Sequence, residues 1–230
     1  MQSTDDFFTS FSYEKEIERA KWFKNDLDKG GWNEVHNSPG AVYWQKTFPD
    51  DEVPIKILFK IDLPLSAESY MEMVNPKNIE VRNKWDRVFL DQEVLETYPD
   101  DQGHIFFSRL PLSWPLWDRS FILFVPASKE IDWFGKRAYI LVQKNAWHSS
   151  KPPGADGLVR ATNGGNFFVI TPDEAKPDSA CTLFSLSNNN YNGWMPNNHI
   201  EWLVGRKVPE SFNRFIENAI EGFDKYYKHN

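Results

Sequence analysis

PESFNRFIENAIEGFDKYY, residues 209–227, is the stretch that decides the fold. Phe212, Phe215, Ile216, Ala219, Ile220, Phe223 and Tyr227 recur at the three- and four-residue spacing of one helical face, while Glu210, Asn213, Arg214, Glu217 and Glu221 fall elsewhere. A helix with so continuous an apolar stripe has to bury it. Pro209 disfavours helical geometry at Val208, so the earlier helical stretch from His199 to Val204 is expected to join it through a kink or break at Gly205.

Upstream, the chain supplies a sheet for that stripe to cover. A first helix is expected from Tyr13 to Asp26, stopped by Lys29-Gly30-Gly31, and a tail of residues 1–13 precedes it. Three β-type stretches follow, Trp32 to Asn37, Ala41 to Phe48 and Pro54 to Asp62, separated by turn signals and expected to form a meander. Ser66 to Val74 and Pro76 to Trp85 read as two short helices, with Ser66 as a cap and Pro76 in a first turn. The remaining strands are expected at 88–97, 104–110, 120–125, 138–147, 158–162, 166–171 and 180–187, and Asn163-Gly164-Gly165-Asn166 reads as a hairpin turn. In the last strand Thr182, Phe184 and Leu186 share one face and Cys181, Leu183 and Ser185 the other. A sheet with bulk on both faces is covered on both sides or curls around something.

Composition bounds the chemistry. The 230 residues suit one domain, 1–230, with a single core, and ten Trp and eighteen Phe exceed what a disordered chain carries. Those rings fill a core or line an apolar cavity. A formal charge of −7 argues against nucleic acid as a partner. Cys181 stands alone, and the acidic, Ser/Thr-rich start of the chain reads as neither secretory signal nor membrane span, so a cytoplasmic protein is expected. The five histidines are scattered without the one-turn spacing of a metal pair, and no nucleophile elbow or phosphate-binding glycine loop occurs. No cofactor, metal or catalytic residue is nominated.

Arg82-Asn83-Lys84-Trp85-Asp86 is the most specific local motif. Arg82 and Asp86 lie four apart and meet on one helical face, with Trp85 expected to anchor the helix end against the sheet. The pair is either an ordinary surface ion pair or a charged pair facing a cavity, where the Arg fork holds a phosphate or orients a polar head group.

The element order, together with Arg82-x-x-Trp85-Asp86, the Trp114-Pro115-Leu116-Trp117-Asp118-Arg119-Ser120-Phe121 segment, Gly157-Leu158-Val159-Arg160-Ala161 and Asn192-Gly193-Trp194-Met195-Pro196, resembles the START lipid-transfer family over roughly residues 14 to 228. In pattern it is most similar to the phosphatidylcholine-transfer-like members. The resemblance implies an α+β helix-grip fold, a curved antiparallel sheet closed by the C-terminal helix over one lipid, which is moved between membranes without a covalent step. It implies head-group contacts at Arg82 and Asp86, and an apolar lining from Phe107, Phe121, Tyr139 and Phe184 with Phe212, Phe215, Ile216 and Ala219 of the C-terminal stripe. Trp114, Trp117, Trp194 and Met195 become gate or membrane-contact residues, with packing under their loops as the other reading. The aromatic cage of choline-binding members falls near Ser108, Phe121 and Gly164, so a single ring remains there. Asp118-Arg119-Ser120 stands where the family has Asn-Arg-Asp. The expected ligand is a glycerophospholipid and the expected contact a transient membrane one; protein partners are left open. A structural or assembly subunit with a filled or permanently occupied cavity is the alternative.

Overall fold

The computed structural model describes residues 9–112, 116–155, 157–193 and 206–228. Helix α1 spans Tyr13–Lys29: the Ser12 hydroxyl caps the Lys15 amide, Glu14 and Glu16 occupy the first turn, and Gly30 at φ 90° ends it one turn beyond the expected Asp26. Strands β1 (Asn33–Ser38), β2 (Ala41–Thr47) and β3 (Ile55–Leu63) form the expected antiparallel meander. Helix α2 (Ala67–Val74) is capped by Ser66; a single 3₁₀ turn, Pro76–Asn78, leads into α3 (Ile79–Trp85).

The rest of the sheet comes from β4 (Leu90–Thr97), β5 (Gly103–Leu110), β6 (Arg119–Pro126), β7 (Lys129–Trp133), β8 (Lys136–Asn145), β9 (Val159–Arg160), β10 (Thr162–Asn163), β11 (Asn166–Pro172), β12 (Cys181–Ser187) and β13 (Asn189–Asn190). The order along the main sheet is β1-β2-β3-β12-β11-β8-β6-β5-β4, with β7 on β8 and β9 on β6. Helix α4, Val208–Tyr226, closes it.

Three local expectations change. Strand β7 is absent from the sequence reading because Lys129, Glu130 and Asp132 leave only Ile131 and Trp133 to mark the alternation. Val208 is helical, because Pro209 falls in the first turn of α4, where a missing N–H breaks no intrahelical bond; residues 199–205 lie outside the described residues. Gly164-Gly165 is not a hairpin turn. Strand β10 pairs with β13 and β11 with β12, so residues 162–172 run antiparallel along 181–190 with the two glycines as a bulge between them. A Cβ on Gly164 would lie 2.6 Å from Asn188 Nδ2, and Gly165 sits at φ +97°.

Both sheet faces are covered. Ala20 and Phe23 of α1 pack on Ile140, Val142, Phe167, Val169, Phe184 and Leu186 on one side. On the other, Phe215, Ile216 and Ala219 of α4 pack with Phe59, Ile61, Ile170, Leu183, Tyr70 and Trp85. Phe212 stacks on Phe59 with ring centroids 4.1 Å apart, and the Tyr43 hydroxyl donates to Asn213 Oδ1. Among the described residues no helix is long and apolar enough to cross a membrane, and no group of three or more His, Cys, Asp or Glu could hold a metal.

Candidate functional site

Burying α4 over a curved sheet leaves a cavity of about 320 Å³ between them. Period-two alternation sets its wall: Phe106, Ser108 and Leu110 of β5, Phe121, Leu123 and Val125 of β6, Leu141 and Gln143 of β8, and Asn166, Phe168 and Ile170 of β11 face it. Phe212 and Phe215 close it from α4, and Leu112 and Leu116 from the β5–β6 connection.

Of the sequence-nominated residues, Arg82, Phe121, Phe212 and Phe215 line this cavity. Asp86 sits behind Arg82. Ile216 and Ala219 pack into the core beside Trp85 and Met73. Tyr139 is on the inner face but outside the wall, its hydroxyl donating to Glu68 Oε1 at 2.7 Å. Phe107 and Phe184 are corrections. Alternation places Phe107 on the far face with Ile105, Ile122 and Phe124, and Phe184 on the far face beneath α1 with Trp133 and Phe167. Trp117 is 72% exposed, whereas Trp114, Trp194 and Met195 lie outside the described residues.

Arg82 and Asp86 are an internal pair, with side chains 9% and 0% exposed and Nε to Oδ2 at 3.1 Å. A buried charge needs this degree of satisfaction. Asp86 Oδ2 also accepts from Gln92 Nε2 at 3.1 Å, and Oδ1 accepts from the Val88 and Phe89 amides at 3.0 and 3.2 Å. The carboxylate is therefore spent on protein donors and holds the guanidinium in place. Arg82 Nη1 reaches the Val74 carbonyl at 3.4 Å, and its guanidinium carbon lies 5.7 Å from the Phe106 ring centroid and 5.5 Å from that of Phe215. Trp85 packs on Phe215 and α4, so it anchors α3 to the closing helix, where the motif had suggested the sheet.

Sequence reasoning missed the polar part of the wall. Gln143, Asn163, Asn166 and Asn189 gather at the cavity. Asn163 Nδ2 donates to Asn189 Oδ1 at 3.0 Å and Asn166 Nδ2 to Gln143 Oε1 at 3.3 Å. The signal was available: Gln143 and Asn166 stand at inward positions of otherwise apolar alternations. Tyr70 and Tyr191 also line the cavity. Burial pushes both phenols well above their ordinary pKa, so each keeps its proton to donate.

Asp118-Arg119-Ser120 organises the loops beside the cavity. Asp118 Oδ2 takes Arg109 Nε and Nη2 at 2.9 and 2.7 Å, and its Oδ1 takes the Leu112 amide at 2.9 Å. Arg119, 1% exposed, donates to the carbonyls of Trp117, Tyr191 and Asn192. Ser120 Oγ accepts from Arg160 Nε at 3.0 Å. One guanidinium thus joins the β5–β6 connection to the segment after β13.

Among curated protein sequences, none matches the chain. Among solved structures it is similar to human StAR-related lipid transfer protein 5, with a TM-score of 0.73 and 18% identity, covering 94% of this chain and 98% of that one. It is similar to human STARD10 with a TM-score of 0.71 and 18% identity, covering 100% of this chain and 86% of that one. The lipid transfer and protein localization domain of human StarD13 aligns with a TM-score of 0.64 and 17% identity, covering 91% and 97% respectively. At such identities the likeness speaks to the fold. A sequence model of the START domain matches residues 12–219, from the cap of α1 into α4, and the chain belongs to the START domain family.

Proposed function

We propose that this protein binds a single glycerophospholipid in the cavity beneath α4 and transfers it between membranes, without catalysing a reaction. The observation that carries the reading is a buried guanidinium on the wall of an otherwise largely apolar cavity of about 320 Å³, at the scale of ligand pockets. Acyl chains gain roughly 0.8 kcal/mol for each methylene taken from water, and Arg82 offers a phosphate a charge-assisted contact. Family membership and the structural likeness to proteins named for lipid transfer support the reading. Trp117, exposed on the β5–β6 connection that borders the cavity through Leu112 and Leu116, suits a transient membrane contact in which α4 and the neighbouring loops yield. The free, buried Cys181 fits a cytoplasmic setting.

Native mass spectrometry of the purified chain, followed by lipid extraction, tests this. One phospholipid per chain is expected, with transfer between liposomes and weaker binding by Arg82→Ala. Repeated absence of lipid, with no transfer, would sink the carrier reading and leave a START-fold structural subunit.

A further inference from the structure

We propose that Gln143 holds the linkage region of the ligand: its amide donates to an acyl carbonyl oxygen, so the cavity selects ester-linked glycerophospholipids over ether-linked ones. This deepens the carrier reading above and rests on it.

Backbone donors set the direction of the amides in the polar wall. The Asn188 amide donates to Asn166 Oδ1 at 2.8 Å, and a backbone N–H has no second way to face. Asn166 Nδ2 is therefore the group turned to Gln143, whose Oε1 accepts from it at 3.3 Å. That leaves Gln143 Nε2 as the far end of the relay. The Gly165 amide fixes Asn163 in the same way, through Oδ1 at 2.7 Å, and Asn163 Nδ2 donates to Asn189 Oδ1 at 3.0 Å. Each of these four amide oxygens thus has its donor.

Gln143 Nε2 has no hydrogen-bond partner among the described residues and, unlike the sealed polar atoms of the core, it keeps accessible surface. The half-buried side chain lines the cavity. A donor in that position asks for an acceptor. The four amides carry no charge, and the neighbouring Lys144 ammonium is engaged by Glu16 of α1 at 2.7 Å on the other side of the sheet. A phosphate gains more at Arg82. An uncharged carbonyl oxygen, which accepts and has nothing to donate, matches Nε2, and an ether oxygen is a poorer acceptor.

One lipid can meet both points. Phe106, 5.7 Å from the Arg82 guanidinium carbon, pairs with Leu123, and Leu123 pairs with Asn145. Gln143 is two residues along from Asn145, so Phe106 and Gln143 are separated by two inter-strand steps and two residues, roughly 12 Å at the backbone. A phosphate and an acyl carbonyl, joined through glycerol carbons with a hydrogen bond at each end, cover such a span.

The test offers lipid-stripped full-length protein to vesicles with equal amounts of the dioleoyl diester and dioleyl diether forms of phosphatidylcholine and phosphatidylethanolamine. Chain length, unsaturation and head group are matched, and only the carbonyls differ. Bound lipid is extracted from the re-isolated protein and read by mass spectrometry. The wild type should retain diester over diether by about tenfold for whichever head group it takes, the scale of one hydrogen bond. Gln143→Leu should bind the two forms within about twofold, with Gln143→Met as a second variant of similar length should the first not fold. Equal or reversed retention by the wild type overturns the role of Gln143 and leaves the carrier reading standing, as does a diester preference that survives in either variant. No phospholipid bound at all overturns both.

Discussion

The indole of Trp85 occupies the space where Gly222 lacks a side chain: a Cβ at Gly222 would stand 2.6 Å from Trp85 Cγ and 2.7 Å from Trp85 Cβ. Helix α3, which carries Arg82 and is followed directly by Asp86, is thus seated on the closing helix through a contact that only glycine permits. Gly222→Ala pits two effects against each other. Alanine in a helix interior gains about 1 kcal/mol over glycine, but overpacking against an atom as rigid as a Cβ costs about 1–3 kcal/mol. The clash should win, lowering the thermal midpoint; a raised midpoint would show that α3 and α4 separate at little cost.

Removing either member of the Arg82–Asp86 pair should have unequal effects. Asp86→Ala strands a buried guanidinium and frees three further donors, Gln92 Nε2 and the Val88 and Phe89 amides. A loss of ~3–5 kcal/mol is expected in urea unfolding. Arg82→Ala leaves the carboxylate with those three donors and should cost clearly less, while weakening phospholipid binding more per unit of stability lost. Equal destabilisation would contradict the view that Asp86 positions and Arg82 binds.

His104, 5% exposed on β5, shares a 3.1 Å hydrogen bond between its Nδ1 and Thr97 Oγ1. Burial holds its pKa below the usual imidazole value, with Asp101 pulling upward and Lys77 downward. The unfolded chain takes up this proton first on acidification, so stability is full above pH of about 6.5 and declines from there toward the folded-state pKa. Urea titrations at pH 7.5 and 5.5 should show that decline in the wild type and a smaller one in His104→Gln; identical slopes would remove His104 from the account.

Arg119→Lys should loosen the tie between the β5–β6 connection and the segment after β13. An ammonium cannot reproduce a fork that meets the carbonyls of Trp117, Tyr191 and Asn192. Amide hydrogen exchange near 117–120 and 191–193 should accelerate by about tenfold while the sheet amides stay protected. Faster exchange across β8 and β11 would instead indicate global destabilisation.

The fold was legible because its signals are periodic. The α4 stripe, the β1–β3 meander and the two-faced alternation of β12 each follow from side-chain spacing. Position along a strand was legible; side was not. Phe107 and Phe184 are as apolar as Phe106 and Leu183, and only the register of β5 and β12 against their neighbours tells which of each pair faces α4. Gln92 is not legible in the sequence because its place beside the Arg82–Asp86 pair depends on a contact with Asp86 that only the folded β4 creates. The Gly164-Gly165 bulge reads as a hairpin in the sequence because a glycine pair serves both, and the choice depends on the later stretch, 181–190, that it runs beside.

Strand β11 shows what the two covered faces achieve together. Phe167 is fully buried under α1, while its neighbour Phe168 borders the cavity. Volume that the chain's own side chains leave unfilled forgoes packing contacts on the inner layer. The aromatic packing of Phe23, Trp133, Phe167 and Phe184 on the opposite side offsets that loss, and none of those four rings lines the cavity. The sheet acts as a partition between a tightly packed scaffold and an unfilled compartment, so the two sides of one strand answer to different demands.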